Sequence, residues 1–228
     1  MIPLKDDLPT GRVPIVTFAL IAANAVVFLW QVSFGLQDSV LRAGAIPYEI
    51  LTFQDVNEPD IVPPPLTILT SMFMHGGIAH IGMNMLTLWI FGNNVEDALG
   101  RLRFVGFYLA AGVAAALTQT VAATMSGDAL VPMVGASGAI AGVLAGYLVL
   151  FPQARVLTLI VIVIFVQLRY LPATFFIGAW FVMQVIAVVF GGDPGVAVFA
   201  HIGGFVTGFL LVRVLGRRPR WRARRVSW

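Results

Sequence analysis

The sequence predicts an all-α, polytopic membrane protein in which six transmembrane helices form one bundle. Of its 228 residues, 59% are apolar and only 11% are charged, and the mean hydropathy is +0.91. So few charges cannot solvate the surface of a water-soluble domain of this size, whereas a surface that faces lipid does not need them. Six predominantly apolar stretches also approach the length of about 20 residues that crosses a bilayer as a helix. An ordinary water-soluble globular protein is therefore excluded.

Five of the six predicted spans are uniformly apolar: residues 13–34, 104–124, 130–151, 171–191 and 196–215. The remaining one, residues 78–98, contains His80 and Asn84, but its apolar residues recur with the period of a helix. Residues 156–167 are just as apolar. Because about twelve residues are too few to span a bilayer, we expect an interfacial or re-entrant segment there.

The basic residues predict the orientation of the chain. Six spans place both termini on one side of the membrane, and that side then holds every Lys and Arg except Arg42. Since the cytoplasmic side is enriched in Lys and Arg, we expect both termini in the cytoplasm. The predicted division is a cytoplasmic N-terminal segment (residues 1–12), a six-helix domain (residues 13–215) and a basic cytoplasmic tail (residues 216–228).

The positive charge also indicates which partners to expect. Seven of the fourteen Lys and Arg lie between Arg213 and Arg225, beside an apolar span. Such a tail favours contact with anionic lipids over nucleic acid, so membrane lipids are an expected partner and nucleic acid is not. Cys is absent, which excludes disulfides, thiolate nucleophiles and Cys-based metal sites.

Polar residues at membrane depth are the candidates for function, because an unpaired polar group there costs on the order of one to several kcal/mol. Ser137 lies nine residues past Asp128, and His201 lies eight past Asp193. At a rise of about 1.5 Å per helical residue, both lie at a similar depth below the same face of the membrane. The serine and the histidine can therefore meet.

Glycines surround the serine and follow the histidine. Gly135 and Gly138 flank Ser137 and leave backbone amides open to an oxyanion, while every fourth residue from Gly138 to residue 146 is also glycine. His201 precedes a second run of glycines with this spacing, so the two helices can pack closely and bring the imidazole to the hydroxyl. A nucleophile and a base so placed suit acyl transfer. No carboxylate lies at that depth, and the sequence thus supports a Ser–His dyad.

Two further polar residues are candidates for stabilising an oxyanion. His80 and Asn84 are four residues apart on one helix face, so they can donate hydrogen bonds together with the Ser137 N–H. We expect a structural hydrogen-bonding role for His75, which precedes this helix. A metal site formed by the three histidines fails on geometry and on the lack of a nearby carboxylate. We expect neither a metal nor a cofactor.

As a set, these residues resemble the signature of the rhomboid family of intramembrane serine proteases, in its minimal six-helix bacterial form. The resemblance covers residues 13–215. The motifs that carry it are His75-x4-His80-x3-Asn84, Gly92-x3-Glu96-x3-Gly100, Gly135-Ala136-Ser137-Gly138 and Ala200-His201-x2-Gly204-x3-Gly208.

The resemblance implies a role for each residue of the site. Ser137 is the implied nucleophile, His201 the general base, and the oxyanion hole consists of His80, Asn84 and the Ser137 amide. Glu96 resembles a carboxylate that forms stabilising hydrogen bonds near the cytoplasmic end, and a solvated surface charge is the alternative.

The fifth predicted helix resembles the family's mobile lateral gate, through which substrate helices enter. Its Trp180 and Phe181 are equally consistent with plain packing against lipid. The sequence departs from the family pattern at Leu41, where some members have Trp before the Arg. It departs again at Ala141, where some members stack an aromatic ring on the catalytic imidazole. Another side chain must restrain the ring here, or the ring is looser.

The expected function is that of an intramembrane serine endopeptidase, which cleaves other membrane proteins in or near the outer end of their transmembrane segments. The expected location is a bacterial inner membrane, with the active site open to the extracytoplasmic side. One alternative is a transporter or proton channel in which His80, Asn84 and His201 form a relay. Another is a non-catalytic, rhomboid-like protein that binds membrane helices.

Overall fold

The structure is a computed structural model that describes residues 2–56, 60–162, 165–190 and 196–216. The predicted basic tail, apart from its first residue, lies outside these ranges. The α-helices of the described residues are α1 (Ile15–Phe34), α2 (Leu36–Ala43), α3 (Pro47–Thr52), α4 (Pro64–Thr70), α5 (Ile78–Thr87), α6 (Asn93–Leu99), α7 (Arg101–Ser126), α8 (Ser137–Leu150), α9 (Ala173–Phe190) and α10 (Val198–Leu215). The strands are β1 (Ile2–Asp6), β2 (Arg155–Ile162) and β3 (Phe165–Pro172).

Every predicted span contains helix, and the chain is a mostly helical, multi-pass membrane protein. Among the described residues, α1, α7, α9 and α10 are long and apolar enough to cross a bilayer. A fifth span results if Pro64–Phe73 and Ile78–Leu99, which bend by 76° at the break between them, are counted as one. By length and composition, the described residues therefore contain four or five candidate spans, and the predicted number of six is not confirmed.

The helix that falls short is α8, which has 14 residues and begins only at Ser137. The preceding residues form an irregular segment in which Met133 pairs with Ala45. All residues from Gly138 to Tyr147 are buried, so α8 is a central helix surrounded by protein. A helix in this position need not match the thickness of the bilayer, because its neighbours separate it from lipid.

Helices α7 and α10 pack against α8 through small residues. A Cβ added to Gly204 would meet the carbonyl oxygen of Gly138, and one added to Gly208 would meet that of Gly142. On the other side, a Cβ at Gly138 would lie 2.5 Å from the Cβ of Ala115 on α7. The predicted close contact between the two glycine faces is confirmed. Its effect is to bring the backbones of α8 and α10 close together.

The prediction of an all-α fold is wrong for one part of the chain. Strands β2 and β3 form an antiparallel hairpin, and β1 pairs with β2 to complete a three-stranded sheet. The described residues of the short apolar segment at 156–167 therefore lie in strands β2 and β3. Its Val, Ile, Leu and Thr side chains favour strands, and strand partners satisfy backbone groups that a lone apolar segment would leave unpaired.

The N-terminal strand is joined to the helices by Asp6. Its Oδ2 accepts hydrogen bonds from the Tyr147 hydroxyl (2.7 Å) and the Asn94 Nδ2 (2.6 Å). Burial raises the pKa of Asp6 to about 6, with the hydrogen bond from Tyr147 acting in the opposite direction. The predicted N-terminal segment is thus a structural part of the fold.

Candidate active site

Ser137 and His201 are hydrogen-bonded to each other. The Nε2 of His201 lies 2.8 Å from the Oγ of Ser137. Ser137 is the first residue of α8, and His201 lies in the first turn of α10. The two first turns lie side by side because the glycine contacts between these helices allow close approach. The geometry is that of a hydroxyl nucleophile and an adjacent general base.

A tight turn at Gly135 brings the serine against His80. Gly135 has a φ of +133°, a region that favours glycine. A Cβ at this position would lie 2.8 Å from the Nε2 of His80 and 3.5 Å from the Oγ of Ser137. Only a residue without a side chain therefore lets the turn pass so close to both groups.

The hydrogen bonding of His80 determines which of its nitrogens carries the proton. The backbone N–H of Gly76 donates to the Nδ1 of His80 at 3.3 Å, so Nδ1 acts as an acceptor. In the neutral imidazole the other nitrogen, Nε2, is then the donor. Since Nε2 is the atom beside Gly135, His80 directs an N–H group toward the serine turn.

Asn84 provides a second donor, which has no partner among the described residues. Its side chain is only 7% exposed, and its Nδ2 makes no hydrogen bond within that part of the chain. A buried donor without a partner costs about 1–3 kcal/mol. Asn84 lines the same cavity as Ser137, so its amide is available to a ligand there.

The site residues line a cavity of about 830 Å³. Its wall includes Ser137, His80, Asn84 and His201. Apolar and hydroxyl side chains of α5 (Met83, Thr87) and aromatic side chains of α9 (Phe176, Trp180) complete it. Ser126, the last residue of α7, and Asp128, which follows the helix, also border the cavity. The volume is in the range of pockets that bind small molecules or parts of larger ones.

His75 was expected to have a structural hydrogen-bonding role, and its side chain makes no such bond within the described residues. The residue is fully buried, and neither ring nitrogen has a hydrogen-bond partner in the described ranges. Its backbone N–H donates to the Oε1 of Gln31 at 2.8 Å, and its ring meets that of His80 edge-on, with 5.0 Å between centroids. His75 therefore supports His80 by packing, and its hydrogen bond comes from the backbone.

Glu96 is buried and caps helix α1. Its Oε1 accepts from the backbone N–H of Val16 at 3.0 Å, and its Oε2 accepts from the N–H (2.7 Å) and the hydroxyl (2.8 Å) of Thr17. Helix α1 follows Pro14, which has no side-chain acceptor for these N–H groups, and Glu96 supplies one from another helix. At 3% exposure, Glu96 is not a solvated surface charge.

Both aromatic residues singled out on α9 contact α10. The ring of Trp180 lies 5.6 Å from the ring of His201, and Phe181 stacks on Phe205 with 4.3 Å between centroids. Both side chains are half-buried, so they pack against α10 and not against lipid alone. The position of Trp180 also shows which aromatic ring contacts the imidazole in the absence of one at residue 141.

Sequence reasoning missed Gln184 on α9. Its Oε1 lies 2.8 Å from the Nδ1 of His201, so the imidazole is contacted at both of its nitrogens. A signal was present, since Gln184 is an amide within an otherwise apolar span, and uncharged polar groups at membrane depth also need partners.

Comparison with known proteins gives consistent matches. A family model described as the Rhomboid domain matches residues 65–218. "Rhomboid protein 1, mitochondrial" of Saccharomyces cerevisiae is 33% identical over 144 residues, which are 61% of this chain and 38% of the relative. "RHOMBOID-like protein 4" of Arabidopsis thaliana is 32% identical over 160 residues, or 68% of this chain and 35% of the relative. "Presenilin-associated rhomboid-like protein, mitochondrial" of Mus musculus is 35% identical over 137 residues, or 60% and 33%. The matched part of the chain thus spans about a third of each relative's length.

Proposed function

The chain belongs to the rhomboid family, and from this we propose that it is an intramembrane serine endopeptidase that cleaves transmembrane segments of other membrane proteins through a Ser–His dyad. The observation that carries the proposal is the 2.8 Å contact between Ser137 Oγ and His201 Nε2 inside a cavity. A hydroxyl becomes a useful nucleophile when a positioned base removes its proton, and this contact supplies the base. Both residues of the proposed dyad are present, which speaks against a non-catalytic helix-binding protein.

In the proposed reaction, the Nε2 of His201 accepts the proton of the Ser137 hydroxyl as Oγ attacks the carbonyl carbon of the scissile peptide bond. The tetrahedral intermediate collapses when the imidazolium gives this proton to the leaving amine, and an ester to Ser137 remains. A water molecule then loses a proton to His201 and attacks the ester carbon. The proton returns to Oγ, which frees the serine and releases the carboxylic acid.

The developing oxyanion has three candidate donors. These are the Nε2–H of His80, the unpartnered Nδ2–H of Asn84 and the backbone N–H of Ser137 at the start of α8. The N–H groups of the first helical turn have no partner within their helix, and the helix dipole favours negative charge there. Donors fixed before the reaction stabilise the transition state more than the ground state, because the charge develops only in the former.

We propose that substrates enter between α5 and α9, both of which line the cavity. Of the helix α9, only Ala173 and Ile177 are buried, and both lie in its first turns. Beyond the contacts of Trp180, Phe181 and Gln184 with α10, its outer part can therefore move at little cost in packing. A substrate helix must unwind before its backbone reaches the serine, which favours substrates with Gly or other helix-weakening residues near the cleaved bond.

The proposed topology has six spans, with α8 as a short central one and both termini in the cytoplasm. The site then opens to the extracytoplasmic side, from which water reaches the acyl group. We propose a bacterial inner membrane because the basic residues lie on the side of the termini. Two of the relatives are named as mitochondrial proteins, so a mitochondrial membrane is the alternative location.

The test is to treat the purified protein in detergent with a fluorophosphonate probe and to locate the adduct by mass spectrometry. We expect an adduct on Ser137 that is absent in Ser137→Ala and strongly reduced in His201→Ala. Cleavage of a transmembrane peptide should be lost in the same two variants. If no adduct forms and no peptide is cleaved, the endopeptidase proposal is wrong and a helix-binding role replaces it.

A further inference from the structure

The imidazole of His201 is held at both nitrogens by side chains from two different helices. Ser137 on α8 contacts its Nε2, and Gln184 on α9 contacts its Nδ1, each at 2.8 Å. An imidazole that acts as a base must present a nitrogen without a proton to the serine. The role of Gln184 therefore depends on where the proton of the ring lies.

The amide of Gln184 determines the position of that proton. Its Nε2 donates to the backbone carbonyl of Trp180, one turn earlier on α9, at 3.4 Å, and its Oε1 faces the ring of His201. A carbonyl oxygen can only accept a hydrogen bond, so the Nδ1 of His201 is the donor. In the neutral ring the proton is then on Nδ1, and Nε2 presents a lone pair to the Ser137 hydroxyl.

We propose that Gln184 is a positioning residue of the dyad, which holds His201 in the tautomer and orientation that accept the serine proton. This inference rests on the proposed function. Gln184 occupies the place that a carboxylate takes in a catalytic triad, but it is neutral. When the Ser137 proton moves to Nε2, the proton on Nδ1 stays where it is, so the hydrogen bond to Gln184 persists and is strengthened by the new positive charge.

Trp180 completes the support from α9. Its ring lies 5.6 Å from that of His201 at an interplanar angle of 46°. Trp180 and Gln184 are four residues apart and share one face of the helix. Residue 141 of α8 is a buried alanine, so the aromatic contact to the imidazole comes from α9.

The other titratable groups around this cavity are few. Among the described residues that line it, His80 on α5 and Asp128 after α7 are the ones that titrate besides His201. Gln119 of α7, which also lines the cavity, accepts from the backbone N–H of Ala200. No carboxylate among the described residues bonds to His201. A carboxylate introduced at residue 184 should therefore change the pH dependence of the reaction.

The first experiment compares Gln184→Leu with Met183→Leu, a conservative change on the exposed side of the same helix. We expect the rate of fluorophosphonate labelling at Ser137 and the kcat for a transmembrane peptide to fall about 10- to 100-fold in Gln184→Leu, as for loss of one hydrogen bond to a charged group. KM and the thermal unfolding midpoint should change little. Met183→Leu should behave as wild type.

The second experiment uses Gln184→Glu. Because a carboxylate next to Nδ1 stabilises the imidazolium, we expect the midpoint of the pH–rate profile for labelling to move to higher pH, and labelling above this midpoint to stay near the wild-type rate. A residue that only fills space between the helices would not produce this shift. An unchanged pH profile, or labelling of Gln184→Leu at the wild-type rate, would overturn the proposal.

A third measurement does not depend on catalysis. The nitrogen-15 NMR spectrum of histidine-labelled protein reports the tautomer of each ring. We expect His201 to be protonated on Nδ1 in the wild type and to lose this preference in Gln184→Leu. If Ser137 is never labelled but the tautomer changes as stated, the proposed endopeptidase function fails while the contact stands. If the tautomer of His201 is the same in both proteins, the proposed positioning role of Gln184 is wrong.

Discussion

The hydroxyl of Tyr147 donates a hydrogen bond of 2.7 Å to Asp6, which joins the N-terminal strand to the helix that begins at Ser137. The same carboxylate oxygen accepts a hydrogen bond from Asn94, near the end of the second predicted span. One half-buried acidic group thus connects β1, α6 and α8. The connection lies at the opposite end of α8 from the proposed nucleophile.

The pKa of Asp6 predicts a dependence of stability on pH. Burial raises this pKa from 3.8 to about 6, so the folded protein binds the proton more tightly than the unfolded chain does. The contribution of Asp6 to the free energy of unfolding is therefore fully present below about pH 4 and lost as the pH rises through 6. Thermal unfolding in detergent from pH 4 to pH 8 should show this decline.

Asp6→Asn mimics the protonated carboxyl group. The variant should therefore lack the part of the stability decline with rising pH that Asp6 causes. We expect the variant to unfold at the wild-type temperature or above it at pH 7, while Asp38→Asn, at an exposed position of α2, keeps the wild-type profile. A wild-type pH dependence in Asp6→Asn would show that another group is responsible.

Replacing Glu96 should destabilise the fold without changing the proposed dyad. Glu96→Ala leaves the N–H groups of Val16 and Thr17 at the start of α1 without their acceptor, at a cost of about 1–3 kcal/mol. We expect a lower unfolding temperature, with labelling of Ser137 unchanged at temperatures where the protein is folded. Thr17→Val should cost less, since only the hydroxyl contact is lost. Equal unfolding temperatures for Glu96→Ala and wild type would contradict the capping role.

Gly135→Ala should abolish labelling of Ser137. The added Cβ would lie 2.8 Å from His80 Nε2 in a backbone conformation that alanine rarely adopts, so the serine turn has to move. Gly127→Ala is the matched control, because Gly127 also has a positive φ (+89°) but no atom within 4 Å of the added Cβ. We expect only a small loss of stability there, about 1 kcal/mol, and normal labelling. Comparable labelling in the two variants would mean that the close contact with His80 is unimportant.

Asn84→Ala should reduce catalysis while preserving stability. Removing one donor of an oxyanion hole lowers kcat by about 10²–10³-fold, and KM should change little. Because the Nδ2 of Asn84 has no partner among the described residues, its loss removes an unsatisfied group and does not weaken the fold. Peptide cleavage and thermal unfolding, measured side by side, distinguish these effects. A large drop in unfolding temperature would instead indicate a structural role for the amide.

Much of this protein was predictable from local sequence patterns. Hydropathy predicted the multi-pass membrane class, because contact with lipid demands apolar side chains along each span. The spacing of motifs such as that around Ser137 identified the family, which the comparisons confirm. Glycine spacing predicted the contact between α8 and α10, since small residues on one helix face permit close packing whatever the partner.

The tertiary structure decided what depends on partners distant in the chain. The strands appear where an apolar segment was expected to lie at the interface, because β1 and β3 satisfy the backbone of β2. Glu96 is a cap, and not a surface charge, because the start of α1 lies against it.

Gln184 shows the same limit at the site itself. Its amide could be read from the sequence as a polar group in an apolar span, but its partner could not. Only the packing of α9 against α10 places Oε1 at the Nδ1 of His201. Composition and spacing are properties of one segment, whereas a hydrogen bond needs two groups whose separation the folded backbone alone determines.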